Sequence, residues 1–189
     1  GANDLALNHP MFEAHRPLVS LWMGNHTIAS AHYDMSHNLA CCMVGKRTFT
    51  LFPPEQVANL YPGPLEPTPG GQVVSMVDFR APDLDRYPRF AEAMAAGQVA
   101  ELEPGDVLFY PALWWHNVEG VGAFTAMINY WWNTSPAFMD TPQNTLLHAM
   151  LSLRDRPAPE KQAWKALFDY YIFGPADAPA AHLPEGAQG

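Results

Sequence analysis

Two short segments far apart in this chain, His32-Tyr33-Asp34 and Trp114-Trp115-His116, carry two imidazoles and one carboxylate. Only a fold that lays distant strands side by side can bring them together. In an extended strand the side chains of residues i and i+2 lie on one side, so His32 and Asp34 can reach one ion while Tyr33 points away. The third group has to come from a second strand, and the segment leading to His116 reads as one. Glu103-Pro104-Gly105-Asp106 is a turn with Pro at its second position and Gly at its third, and Val107-Leu108-Phe109-Tyr110 follows as an apolar run. Two His and one carboxylate on one face of an octahedral ion leave three positions open, which is the ligand set of a non-heme Fe(II) centre. A lone His-x-Asp is a weak signal; its weight here comes from the strands around it.

The strand pattern continues on both sides. Leu18 to Met23, Ala29 to Val44 and Arg47 to Phe52 are apolar or alternating and are broken at Gly24 and Gly45, and the pattern returns from Val99 through Val118 and from Ala123 to Trp132. Between Tyr61 and Gly97 lies a long excursion dense in Pro and Gly, within which Tyr87 to Ala96 reads as a short helix started by Pro88. Residues 1 to 135 are therefore a mainly β core. The next region, 136 to 174, reads as a helical pair. Thr141-Pro142 caps a first helix with Leu146, Leu147, Met150 and Leu151 on one face, Pro157 and Pro159 break it, and Trp164, Leu167, Phe168, Tyr171 and Ile172 mark a second that stops at Gly174-Pro175. Those apolar faces either pack on the domain's own sheet or pair with a second copy in a homodimer. The Ala/Pro/Gly tail, 175 to 189, is predicted to be disordered.

Composition excludes several classes. A chain of 189 residues with 48% hydrophobic and only 15% charged residues has a real core. Its net charge of -9, with ten unclustered Lys and Arg, argues against a nucleic-acid grip. The adjacent Cys41 and Cys42 follow no zinc or disulfide spacing, which suits a reducing compartment. No apolar run reaches membrane-spanning length and no secretory leader opens the chain, so a cytoplasmic location is expected. The opening Gly1-Ala2, without Met, reads as a trimmed or tagged start.

The string Ala31 to Pro54, AHYDMSHNLACCMVGKRTFTLFPP, followed by PGDVLFYPALWWHNV and INYWW, resembles the cupin-like branch of the JmjC oxygenases, whose best known member is the asparaginyl hydroxylase acting on hypoxia-inducible factor. The resemblance covers about residues 20 to 135. It implies a double-stranded β-helix (a jelly-roll or cupin barrel), an Fe(II) ion held by His32, Asp34 and His116, and hydroxylation driven by 2-oxoglutarate and O₂. It also implies that Arg47, six residues before Pro53, pairs with the far carboxylate of 2-oxoglutarate where the family commonly has Lys, with Lys46 as the fallback. Asn38 and Asn129 match positions that hydrogen-bond the cosubstrate. Ala29 stands where similar proteins have a Thr, so one hydroxyl is missing or supplied elsewhere, and the family's upstream Tyr has no counterpart in the 31 residues before His32.

The substrate expected is a protein or peptide side chain, with a small molecule as the other class; nucleic acid and membrane are not expected partners. Asp78, Asp83 and Asp85 would border the substrate groove. His37, close to the triad but out of phase with His32, reads as a supporting or turn residue. His9, His15, His26, His148 and His182 read as surface residues. One Trp from each of the pairs Trp114-Trp115 and Trp131-Trp132 is expected to line the site. Two alternatives stand beside the oxygenase: a cupin-type metalloenzyme that does not use 2-oxoglutarate, which would more typically show His-x-His, and a non-catalytic dimeric binding module.

Overall fold

A computed structural model describes residues 5–65, 71–184 and 186. The chain divides into two compact units, Gly1–Thr134 and Ser135–Gly189. In the first, a one-and-a-half-turn helix α1 (Pro10–Ala14) precedes strands β1 (Leu18–Gly24), β2 (Ile28–Tyr33) and β3 (His37–Phe52), a 3-10 turn (Pro54–Ala58), helix α2 (Phe90–Ala96), and strands β4 (Gln98–Leu102), β5 (Val107–Tyr110) and β6 (Trp115–Trp132).

Two strands organise the unit because they are long enough to be used twice. β3 runs for 16 residues and β6 for 18, and they pair antiparallel along most of their length. Their pairing shifts register between Cys42 and Lys46, where Gly45 adopts φ +74. On one side of that shift, β1 and the N-terminal half of β3 flank the C-terminal half of β6, and β5 adds to β3. On the other, β2 pairs with the N-terminal half of β6, and β4 with the C-terminal half of β3. The result is two four-stranded antiparallel sheets, β1-β6-β3-β5 and β2-β6-β3-β4, that share two bent strands. This is a jelly-roll built as a double-stranded β-helix.

Gly45 is the corner. A Cβ there would stand 2.6 Å from the Phe124 carbonyl oxygen and 2.9 Å from Thr125 Cγ2, on top of a φ that L side chains rarely adopt. Replacing Gly45 with Val is expected to cost roughly 2–3 kcal/mol or more, because strain and a backbone clash add; urea unfolding of the two proteins side by side measures it. Gly105 (φ +101) occupies the third position of the predicted turn, closed by Asp106 N–H donating to Glu103 O at 3.0 Å.

Between the sheets, Ala40, Cys42, Phe49, Leu51, Leu102, Tyr110, Val118 and Met127 form one core cluster. A second lies outside the β2-β6-β3-β4 sheet, where Phe52 and Trp115 meet Leu60, Val73, Val77, Phe90 and Ala93. The Pro/Gly-rich excursion is thus largely a packed cover rather than a free loop, because its scattered apolar residues bury the sheet's outer face. Its helix starts at Phe90, two residues later than Pro88 suggests; Arg89 N–H is instead taken by Tyr61 Oη at 3.0 Å.

The second unit contains α3 (Pro142–Leu153) and α4 (Ala158–Tyr171). Thr141 caps α3 as expected, its hydroxyl accepting from Gln143 N–H at 3.4 Å. Neither helix buries a residue; Leu151 is 86% and Phe173, just past α4, 76% exposed. Residues 175–184, where the sequence predicts disorder, run through successive turns closed by short-range backbone hydrogen bonds, and Tyr170 Oη donates to Ala178 O at 3.5 Å. Proline-rich sequence favours such turns as readily as disorder. The remainder of the predicted tail lies outside the described residues, apart from Gly186.

Candidate metal centre

His32 and His116 are direct register partners on β2 and β6, and their rings stand 4.3 Å apart between centroids. Asp34 follows immediately after β2. The ligand atoms of His32, Asp34 and His116 all lie within 4.8 Å of one another, the one such His/Cys/Asp/Glu group among the described residues. Tyr33 points the other way, as strand alternation requires, and meets the Trp115 ring edge to face.

Both imidazoles are oriented by the chain. His32 Nδ1 faces Ser30 O at 2.8 Å and His116 Nδ1 faces Trp114 O at 3.0 Å. A carbonyl can only accept, so each Nδ1 is the donor there and Nε2 is the ring atom left for a metal. Burial, and next to it His32, push the pKa of His116 down to about 3. The 3.6 Å approach of its Nε2 to Asp34 Oδ2 is therefore a neutral imidazole beside a carboxylate, not an ion pair. Burial raises the Asp34 pKa, while His32 and hydrogen bonds from Asn38, Gln72 and Trp131 pull it back. Gln72 Nε2 donates to Asp34 Oδ1 at 3.0 Å. Two converging imidazoles and a desolvated carboxylate make a donor set that gains most by taking a divalent cation.

A stability consequence follows for the metal-free protein. With a folded pKa near 3 and an unfolded one near 6.5, His116 binds a proton more readily when unfolded between those values. Its contribution is whole above about pH 6.5 and is lost as pH falls toward 3, with a slope of at most about 1.4 kcal/mol per pH unit. Asp34, with its raised pKa, acts in the opposite sense at the acid end. His116→Gln is expected to flatten the fall between pH 6.5 and 4.5, as read from denaturant midpoints with a chelator present.

The metal group shares one cavity with Arg47 and Asn129, and Trp22, Tyr110 and Trp131 add to its wall. Arg47 is 6% exposed. Its Nη2 donates to Trp22 O at 3.2 Å and to Thr125 Oγ1 at 3.3 Å, while its Nε is buried without a partner. No carboxylate pairs with it among the described residues, and burial depresses its pKa. A desolvated guanidinium with an unused donor is costly unless an anion joins it. A carboxylate at Arg47 would satisfy this donor, and Arg47 borders the same cavity, of about 50 Å³, as the metal group.

Lys46, the alternative cation, is not brought to the cavity. It lies on the other side of the strand, exposed, and pairs with Glu103, because neighbouring strand residues face opposite ways. Asn129 lines the cavity, but Asn38, fully buried, stands behind it with the two amides 2.8 Å apart. His37 Nδ1 accepts from Ala112 N–H at 3.2 Å and is no part of the metal group. The expectation of one Trp from each pair fails for the first pair. Trp115 is buried in the outer cluster and Trp114 packs against the core. Trp131 does line the cavity, with Trp22 as the second indole.

Gln72, Tyr110, Thr125 and Trp22 were not legible as site residues. Gln72 lies in the excursion, and the other three look like ordinary strand residues in the sequence. No local signal distinguishes them.

The cupin-like domain family matches residues 1–138. Lysine-specific demethylase JMJ31 of Arabidopsis thaliana is 32% identical over 129 residues, 65% of this chain and 23% of that protein. Human HSPB1-associated protein 1 is 38% identical over 116 residues, 59% of this chain and 23% of that protein. The tRNA wybutosine-synthesizing protein 5 of Danio rerio is 33% identical over 127 residues, 67% of this chain and 33% of its own length. The chain thus spans only a quarter to a third of these relatives. Among solved structures, a cupin superfamily protein from Desulfitobacterium hafniense aligns over 62% of this chain and 67% of its own at a TM-score of 0.34 and 15% identity, too slight a likeness to add to the topology above. With a family match over most of its length, this chain belongs to the cupin-like domain family, and its relatives are of the JmjC type.

Proposed function

We propose that this chain is an Fe(II)- and 2-oxoglutarate-dependent oxygenase that hydroxylates a protein or peptide side chain, with release of succinate and CO₂. The observation that carries the reading is the buried, carboxylate-free Arg47 with its unpaired Nε, on the same cavity as the His32–Asp34–His116 group. Arg47 calls for an anionic ligand beside the metal group, which 2-oxoglutarate supplies in one molecule with a keto acid end.

When bound, Fe(II) supplies the activation of O₂ toward a substrate C–H bond. The protein's part is positional. His32, Asp34 and His116 would hold the ion through three ligand atoms that lie within 4.8 Å of one another. Arg47 would take the far carboxylate through its fork, held in place by the Thr125 hydroxyl, which accepts from Nη2 and donates to Gly24 O. Asn129 offers an amide on the same cavity, and Trp22, Trp131 and Phe49 would keep water from a bound ligand.

A protein or peptide substrate agrees with the demethylase among the relatives. A tRNA, as the name of another relative suggests, is disfavoured by a net charge of -9. No described helix is long and apolar enough to cross a membrane. The exposed apolar residues of α3 and α4 suit a homodimer, the second part of the proposal. Light scattering is expected to give twice the chain mass, and Leu151→Asp with Trp164→Asp to halve it.

The activity reading is tested without knowing the substrate. Fe(II) and then 2-oxoglutarate are added anaerobically, and the visible charge-transfer band of a chelated keto acid is sought. A band lost in His32→Ala and weakened in Arg47→Ala supports the reading; metal binding with no band in the unaltered protein overturns it.

A further inference from the structure

A second cavity, of about 410 Å³, lies behind the metal centre, on the opposite face of the β2–β6 pair. Strand alternation puts it there. His116 and Val118 face the metal cavity, so Asn117 and Glu119 between and beyond them face away. Glu119 sits across from Ile28, and Ser30 completes the floor. The segment Ser75–Arg80 forms the wall.

Asn117 is the informative residue. Its side chain is buried, at 3% exposure, borders this groove, and makes no hydrogen bond to any described residue. With no partner among the described residues and not fully shut off from solvent, its amide keeps its remaining access at this groove, which leaves donors and acceptor open to a ligand. The other polar groups are partly committed. Ser75 Oγ donates to Leu60 O at 2.6 Å and accepts from Val77 N–H at 3.1 Å, and Asp78 Oδ1 accepts from Arg80 N–H at 3.0 Å. Asp78 Oδ2, the Glu119 carboxylate and the Arg80 guanidinium have no ion pair among the described residues. Two carboxylates against one guanidinium leave the groove with one net negative charge.

We propose that this groove binds an extended peptide segment carrying one Lys or Arg side chain. A carboxamide has one acceptor and two donor hydrogens, the complement of a peptide group, so Asn117 can take the backbone of such a segment. The cationic head goes to Glu119 and Asp78, and its methylene stem lies along Ile28, Met76 and Phe79. The same stretch of chain touches both sites. Gln72 bonds Asp34, Val74 bridges to His32, and Ser75 N–H donates to Ala31 O at 2.7 Å before the chain turns into the groove wall. Peptide held here therefore sits one strand's thickness from the metal ligands. The inference does not depend on the oxygenase reading.

The test uses the whole isotope-labelled chain, free of metal and 2-oxoglutarate, titrated by NMR with acetyl-Gly-Lys-Gly-amide and with its norleucine counterpart, which keeps the shape and loses the charge. Saturable shifts are expected at residues 28–30, 75–80 and 117–119, with the norleucine peptide about tenfold weaker. Glu119→Gln and Asp78→Asn should each weaken the lysine peptide by about three- to fivefold, as partly exposed charge pairs do. Asn117→Ala should weaken both peptides alike, and if that variant fails to fold the two surface substitutions still decide the matter. Equal binding of the two peptides, indifference to Glu119→Gln, shifts confined to the metal cavity, or no saturable shift at millimolar peptide would each overturn the proposal.

Discussion

Replacing Asp34 with Ala is expected to abolish tight binding of a divalent cation while leaving the metal-free fold as stable as before, or nearly so. The carboxylate is one of three converging ligands. Loss of an outer partner of a metal ligand typically costs ten- to a hundredfold in affinity, and loss of the ligand itself should exceed that, on the order of a thousandfold. The net cost to the fold is small, because losing the acceptor of Asn38, Gln72 and Trp131 is offset by removing a desolvated acid whose charge is a burden until a cation arrives. Thermal unfolding separates the two effects. The unaltered protein should rise in Tm as Fe(II) or Mn(II) is added under anaerobic conditions, since anything that binds only the native state stabilises it. Asp34→Ala should start within a few degrees of the unaltered protein and show no rise. A variant already unfolded without metal would mean that Asp34 is a structural residue and that the convergence of the three side chains serves packing.

Arg47→Met is expected to separate cosubstrate binding from both metal binding and stability. A charge-assisted hydrogen-bonded contact to a carboxylate is worth roughly 1.5–3 kcal/mol, so affinity for 2-oxoglutarate should fall by about ten- to over a hundredfold. Metal affinity should not change, because Arg47 contributes no ligand atom. The free protein should keep its stability or gain some. Met roughly fills the space of the arginine stem, and the substitution removes a buried cation with an unpaired Nε at the cost of two long hydrogen bonds, to Trp22 O and Thr125 Oγ1. Calorimetric titration of the metal-loaded protein with 2-oxoglutarate and a urea melt of the metal-free one are the two readings. A large loss of stability with unchanged cosubstrate affinity would assign Arg47 to the sheet instead of the site.

The two predictions rest on residues of different legibility. Asp34 could be read because the pleat makes His-x-Asp a two-ligand motif wherever the segment is a strand, and Ile28–Tyr33 is one up to the residue before Asp34. Arg47 and Lys46 are adjacent cations, and the sequence alone leaves both in play. The register of β3 against β4 and β6 turns Arg47 inward opposite Gly120 and sends Lys46 out to Glu103. The tryptophans show the same limit. Four of them flank the third ligand and its strand, yet Trp115 is buried outside the barrel, while Trp22, in a strand with no motif, faces the cavity.

By itself the sequence determined the local periods: most of the strand stretches, the strand end at Gly24, the turn at Gly105, two C-terminal helices with Thr141 capping the first, and the three ligand types. These are nearest-neighbour properties, set by steric preference and by the alternation of apolar and polar side chains. The expected break at Gly45 is instead a bend within β3, Val118 to Ala123 is continuous within β6, and Ala29 to Val44 is split between β2 and β3. Only the tertiary structure decided how 16- and 18-residue strands bend to serve two sheets at once, and which face of each half points inward. That choice fixed the partners Gln72, Thr125 and Trp131 and left Asn117 facing a groove of its own. Inward or outward is a one-residue matter of register, and register is settled by burial summed over the whole barrel, which no short stretch of sequence contains.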